Sequence, residues 1–485
     1  ISTLVQMEYS AYEEATVPIC TFVLENKNNA EENGQYFRLS AFKGGMEVQK
    51  RKVLEAISNR NCGYYMEINQ QWFKKIPGMP IAYWVKESFF DSFENDSIGD
   101  LVVSKAGIVT GSDPYFVRMW QEVNYSDITF KPEHKSLPKY VIMQKGGPYR
   151  QYYGNNIFVV KIRDMYDETK VNVSVRRGDI EYYYKEGIGW SLIGSNSGKS
   201  FRLIENAVCG TASPTLYPIN SADKYYLLGL LNSPVGGMVL DISNPTLNLL
   251  VTDACKVPVI HDAEVFEKVS KLAKENVDLQ KEDWDNYEQS WDFKCNPLLK
   301  IAKTFDDKDC KIEDIFKLWE DRCKENFEKV KKNQEEINAS LIDLYELGYE
   351  LSKEVDDKSV SMNFADKEKD IKDLISFSVG CMFGRYSIEN EGIIYAGGDW
   401  GACNSLLYQP DEDNIIPIND DEYFQDDIVE RFIRFIEVGF GTRYLDENLR
   451  FIVEALGENG NVRDALRSYF INSFYVDHCS NYSFA

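Results

Sequence analysis

Apolar and polar positions follow different rhythms along the chain. Val17-Pro-Ile-Cys-Thr-Phe-Val-Leu24 is a continuous apolar run of strand length. A polar, turn-like stretch at Asn26–Gly34 and a second run at Gln35–Leu39 follow it, which predicts a hairpin with a long loop. Lys50–Ser58 predicts a short helix, and Phe73–Pro80, punctuated by proline and glycine, a crossing loop. Residues 1–97 therefore read as mixed α/β material, small for a whole domain and like the end of one. Residues 98–260 are rich in glycine, β-branched and aromatic residues. Val171, Val173 and Val175 alternate with polar residues, Arg176-Arg177-Gly178-Asp179 makes a turn, and Ile180, Tyr182 and Tyr184 alternate on the return. That pattern predicts a β-hairpin with a basic tip. Ser221 is placed to cap a helix through Leu231.

From residue 261 the rhythm becomes helical and the charge acidic. Phe316, Trp319, Cys323, Phe327, Val330, Ile337, Leu341 and Leu344 recur in steps of three or four, with one gap. They predict a long amphipathic helix or helical hairpin arm over Lys311–Val355. Further helices are expected at Asp370–Met382, Asp426–Val438, Asp446–Leu456 and Val462–Phe474, with an acidic loop at Pro410–Asp427. The predicted class is α+β. It comprises the end of an α/β core (1–97), a mixed β-rich domain (98–260) and a mostly helical region (261–485).

A hydrophobic fraction of 44 % in 485 residues is ample for folded cores and excludes global disorder. The longest apolar stretch, Tyr225–Leu240, is short and broken by Gly229, Pro234, Gly236 and Gly237, so no helical membrane span is expected. No basic segment leads into an apolar one at the N-terminus, so no secretory signal is read there. Ten cysteines, scattered from Cys20 to Cys479 without a C-x-x-C pair, read as reduced thiols of a cytoplasmic protein. His134, His261 and His478 lie too far apart in sequence to suggest zinc. Ile1 in place of methionine, and an end without a polar tail, suggest a piece of a longer protein. The net charge of −24 argues against a general nucleic-acid coat. Residues 131–205, however, carry 13 Lys and Arg against 8 Asp and Glu, a local +5 that leaves −29 elsewhere. Screening confines charge effects to about 10 Å, so a local cationic face can still hold DNA.

Ile193–Ser200 (IGSNSGKS) has three residues between Gly194 and Gly198 where a phosphate-binding P-loop needs four. No [DNS]-P-P-[YFW] tetrapeptide, which would hold the target amine and stack on a flipped base, is present. Asn244-Pro245-Thr246-Leu247 comes nearest and lacks the second proline and the aromatic. There is no glycine-rich strand-to-helix turn with a following acidic residue for a nucleotide-type cofactor. Asp411 and Asp413 form no recognisable metal or nuclease constellation.

The most suggestive stretch is Lys145–Asn156 (KGGPYRQYYGNN). Lys145 and Arg150 could neutralise phosphates, and Gly146 and Gly147 allow close backbone approach. Asn155 and Asn156 carry the side chain that reads adenine bidentately, and Tyr149, Tyr152 and Tyr153 offer stacking faces. Arg176 and Arg177 form a second cationic site, which Lys161, Arg163, Lys199 and Arg202 would extend. The plainer alternative is a glycine-rich turn beside an aromatic strand.

Several long strings resemble the PglX-type adenine-specific methyltransferases of BREX phage-defence systems. They are LVQMEYSAYEEATVPICTFVL (4–24), CGYYMEINQQWFKKIPGMPIAYWV (62–85), GIVTGSDPYFVRMWQEV (107–123) and KGGPYRQYYGNNIFVV (145–160). Others are GIGWSLI (187–193), LLGLLNSPVGGMVLDISNPTLN (227–248), KEDWDNYEQSWDF (281–293) and DIKDLISFSVGCMFGRYS (370–387). The resemblance implies that 1–97 ends a methylase core, that 98–260 is a DNA target-recognition domain, and that a helical C-terminal region follows. It implies S-adenosylmethionine as cofactor and a catalytic tetrapeptide, both upstream of this region. The product would be N6-methyladenine in double-stranded DNA, made alongside other BREX proteins. With neither motif here, no cofactor and no methylation are expected of this chain alone. Val17–Leu24 would be a late strand of the methylase sheet, with Phe22 near the flipped-base pocket or, more simply, buried in the sheet. Two rival readings stand beside it. One is a non-catalytic DNA-specificity or interaction subunit; the other is part of a fused restriction–modification enzyme.

Overall fold

The computed structural model describes residues 1–9, 11, 17, 19–26, 32–193, 199–244, 246, 248–305, 309–396, 406–424 and 426–482. Pro18, residues 27–31, the glycine-rich 194–198, and Pro245 and Leu247 of the tetrapeptide-like string lie outside them. The chain combines helices with several small sheets and a helical C-terminal region, the α+β class that its patterning predicts. It forms two compact units. The first joins Ile1–Val102, Ser233–Glu267 and Asn338–Lys353; the second joins Val103–Asn232, Lys268–Ile337 and Glu354–Ala485.

The sheet of the first unit runs in the order Cys20–Val23, Thr3–Gln6, Asn33–Arg38, Tyr65–Asn69. Thr3–Gln6 is antiparallel to Cys20–Val23 and parallel to Asn33–Arg38. The expected hairpin between the first two apolar runs is therefore not formed. A four-residue strand, too short to stand out in sequence, lies between them. Cys20–Val23 is an edge strand among the described residues, and Phe22 is 55 % exposed, which corrects its expected burial. Phe37, Leu39, Ala56 and Tyr64 form a small core under the helix Gly45–Ser58, which covers the predicted Lys50–Ser58. Tyr36 stacks on Tyr83 with ring centroids 4.9 Å apart. The expected crossing loop begins as a 3-10 turn, Trp72–Lys75.

In the second unit, Gly187–Trp190 lies antiparallel between Phe201–Ile204 and Thr215–Pro218. A second sheet runs Ala207–Cys209, Tyr140–Gln144, Phe158–Val160, Val117–Met119, and Ile128–Thr129 also pairs with Tyr140–Gln144. The predicted hairpin at 171–184 is absent. Val173 is 94 % exposed, and Arg176 makes one isolated bridge to Val109. The Asp179 side chain accepts from Glu181 N and starts a 3-10 turn instead. Alternation there reflects turns, not a buried face. Similarly, the helix expected from Ser221 begins at Lys224, behind a turn that Asn220 caps.

Helices form at each predicted place, although the long one stops at Leu344, eleven residues before the predicted Val355. The long helix is Ile312–Leu344, and Lys367–Met382, Ile428–Phe440, Leu445–Ala455 and Val462–Asn472 follow. Each has a readable reason. In Ile428–Phe440, Asp427 accepts from Val429 N and Glu430 N, and Gly441 ends the helix at φ +84°. Phe432, Phe435, Ile436 and Phe440 bury one stripe against Phe377, Ile452 and Phe470. No helix among the described residues is long and apolar enough to cross a membrane, and no three His, Cys, Asp or Glu are grouped to hold a metal ion.

One helix carries a pH dependence. Asp370 Oδ2 accepts from Trp319 Nε1 and from Asp366 N, both at 3.0 Å. Burial pushes the carboxyls of Asp370 and Asp373 up to about 6. For an acid raised in the folded state, the stabilising contribution is fully present below about 4 and is lost as pH rises through the folded value. Asp370→Asn should therefore gain melting temperature relative to the parent between pH 5 and pH 8. A difference that stays constant with pH would show that Asp370 does not titrate in this range.

Candidate nucleic-acid interface

Two short helices organise the exposed cations. Asp113–Phe116 begins with Pro114 in its first turn, and Ile162–Glu168 buries Ile162 and Met165. Lys145, just after the strand Tyr140–Gln144, reaches Asp113 with Nζ–Oδ2 at 2.7 Å and lies 5.1 Å from the Phe158 ring centre. Lys161 Nζ sits 5.1 Å over the ring of Tyr115, which is 58 % exposed. Arg163 is exposed on the second helix and donates from Nε to Leu137 O (3.0 Å). Arg177 donates to Tyr166 Oη at 2.8 Å and lies over its ring; Arg176 is exposed beside it. Tyr166 follows Arg163 by three positions, one helical turn, and so shares its face. Tyr115 and Tyr166 do not stand out in the sequence. The signal for the second was that spacing.

Lys145–Asn156, the most suggestive stretch in sequence, turns inward instead. Residues 151–157 are buried throughout. Asn155 Nδ2 donates to Pro148 O (2.9 Å), and Asn156 Oδ1 accepts from Gln144 Nε2. Their amides are thus spent inside the protein rather than presented to bases. Tyr152 is fully buried and donates to Gln334 Oε1; Tyr149 Oη donates to Ser359 O. Arg150 lies over the Trp284 ring at 5.0 Å, with Nη1 3.5 Å from Asp283 Oδ2. It also lines a cavity of about 230 Å³ that Glu288, Lys369 and Asp373 share. Gly154 makes this possible, because a Cβ there would stand 2.3 Å from Arg150 Cδ. Arg202 is 0 % exposed within its strand, so it cannot reach a ligand at the surface. Burial, and then Arg150 beside it, lowers its guanidinium to about 10. Lys199 is half-buried at the border of 194–198.

A glycine turn also precedes a helix in the first unit, at Gly44-Gly45. Its N–H groups donate to the buried carboxylate of Glu8, an anion placed at the positive end of the helix. That cradle is filled by the protein's own side chain and does not fit a nucleotide-type cofactor.

No family model matches the sequence. The adenine-specific methyltransferase PglX of Lacticaseibacillus casei (strain Zhang) is 32 % identical over 497 residues, which cover 97 % of this chain and 40 % of that protein. The adenine-specific methyltransferase BrxX of Escherichia coli O9:H4 (strain HS) is 28 % identical over 504 residues, again 40 % of its length. The chain thus spans about two fifths of the curated relatives it matches. The strings that resembled PglX-type enzymes are part of a similarity that runs almost end to end, and the chain is a homologue of these adenine-specific methyltransferases.

Proposed function

We propose that this chain supplies DNA recognition to a site-specific adenine methyltransferase of the BREX type. The face around Asp113–Phe116 and Ile162–Glu168 holds the duplex. In the longer protein this places one adenine for extrusion and methylation at N6. The methyl donor of the whole enzyme would be S-adenosylmethionine, since the relatives are named methyltransferases. The observation that carries the reading is the gathering of Lys161, Arg163, Arg176 and Arg177 with Tyr115 and Tyr166. Lys161 covers the Tyr115 ring and Arg177 the Tyr166 ring, on and beside two neighbouring short helices of a chain whose net charge is −24. Cations there would neutralise phosphates and set the register, while the exposed tyrosine offers a stacking or sugar contact.

Fluorescence anisotropy on random-sequence duplex DNA across a salt titration tests this. Affinity should fall linearly in log salt. Changing Lys161, Arg163, Arg176 and Arg177 together to alanine should weaken binding by about tenfold or more and flatten the slope by roughly one for each phosphate no longer neutralised. Parent and variant with the same slope and affinity would remove this face from DNA binding.

A further inference from the structure

Arg202 is an anomaly. It has no carboxylate partner among the described residues. Its Nε and Nη1 are buried without a hydrogen bond, and Nη2 meets only Gly146 O at 3.5 Å. Its charged neighbour is another cation, Arg150, whose single acidic partner is Asp283 at 3.5 Å. A buried ion left unpaired is strongly unfavourable.

Gly146, whose carbonyl meets Arg202, lies in the segment 145–149. Residues 145–149 are held, among the described residues, by side-chain bonds rather than by a backbone ladder. Ser191 Oγ donates to Gly147 O (2.8 Å), Asn155 Nδ2 to Pro148 O, and Tyr149 Oη to Ser359 O (3.2 Å). Gly146 and Gly147 both sit at positive φ, +87° and +128°, a conformation that glycine adopts without strain. Tyr152 behaves differently, since its backbone pairs with Phe201 and Leu203 on both sides. Backbone pairing thus holds the segment after Arg150 and, among the described residues, not the segment before it.

We propose that Arg202, with Arg150 beside it, is an internal oxyanion site beneath residues 145–149, filled by a phosphate group when that segment lifts. The guanidinium fork matches phosphate oxygens bidentately, and two adjacent cations favour a group with several anionic oxygens over a single carboxylate. The phosphate comes either from free phosphate or from a DNA backbone. Only the second source rests on the DNA-binding reading above.

The test melts the full chain, Arg202→Met and Arg202→Lys in phosphate-free buffer, and again with sodium phosphate at matched ionic strength. Arg202→Met should melt roughly 2 °C or more above the parent without phosphate, because an unpaired buried charge is removed. Phosphate should raise the parent but not Arg202→Met. Arg202→Lys, which keeps the charge and loses the fork, should show less than half the parent's phosphate shift. Equal phosphate shifts in parent and Arg202→Lys, or no shift in the parent, overturn the site, and this holds even if Arg202→Met fails to fold. Duplex anisotropy separates the sources. A roughly tenfold weakening in Arg202→Met places a DNA phosphate there. Unchanged DNA binding, with the phosphate shift abolished, leaves free phosphate as the ligand. A chain that ignores DNA yet shows the Arg202-dependent phosphate shift keeps this site and loses the DNA-binding reading. A chain that binds DNA irrespective of Arg202, with no phosphate shift, does the reverse.

Discussion

Arg150→Ala is expected to destabilise the second unit by about 3 kcal/mol, the cost of stranding one member of a buried ion pair. Asp283 is the stranded partner. Its side chain is 6 % exposed, and burial already pushes its carboxyl above the usual range while Arg150 holds it down. Asn363 supports both carboxylate oxygens, by N–H to Oδ1 and by Nδ2 to Oδ2, but brings no charge. The alanine also uncovers Trp284 and removes a cation–π interaction worth about 1 kcal/mol. Two consequences separate this account from simple loss of packing. Asp283→Asn in the Arg150→Ala background should recover more than half of the loss, giving a clear coupling in a urea-unfolding cycle. The penalty should also shrink as pH falls, because a protonated Asp283 needs no counter-charge. Additive single and double variants would mean that the pair contributes no charge coupling. The same reasoning makes Arg150 a poor residue on which to test DNA binding, since its loss disturbs the fold first.

Phe435→Ala should cost about 4 kcal/mol, in the range for emptying a fully buried aromatic site. The ring is fully buried at the centre of the C-terminal helices. It meets Phe377 and Tyr408 edge-on, at centroid distances of 6.2 and 5.9 Å, and lies 6.5 Å from Phe432. These partners come from another helix, a loop and the ring's own helix, so no single shift can close the cavity. Phe435→Leu, which keeps most of the volume, should cost less than half as much. A urea midpoint that barely moves in Phe435→Ala would show that this core collapses to fill the gap.

The helical region was the most legible part of the chain. Apolar steps of three and four act within a few residues. They predict Asp426–Val438 where Ile428–Phe440 forms. Short strands were less legible. Thr3–Gln6 carries too few residues to show a period, and its parallel partner Asn33–Arg38 lies beyond a turn-like stretch. The valines of 171–175 alternate as a strand would, yet find no ladder. The candidate site divided in the same way. Sequence identified a basic, glycine- and tyrosine-rich middle stretch, and similarity to adenine-specific methyltransferases extends over nearly the whole chain.

What the sequence determined by itself was the class of the fold, the C-terminal helices and the kinship, because each is written in local spacing or in long matching strings. Which cations face outward was decided by tertiary structure alone. Tyr152 bonds to Gln334, 182 residues away, and Arg150 rests on Asp283 and Trp284, so the loop that looked most exposed is drawn inside. Lys161, Arg163 and Arg177 are left at the surface around Tyr115 and Tyr166. Burial is a sum over contacts from distant segments, and a linear pattern of charges carries no record of it.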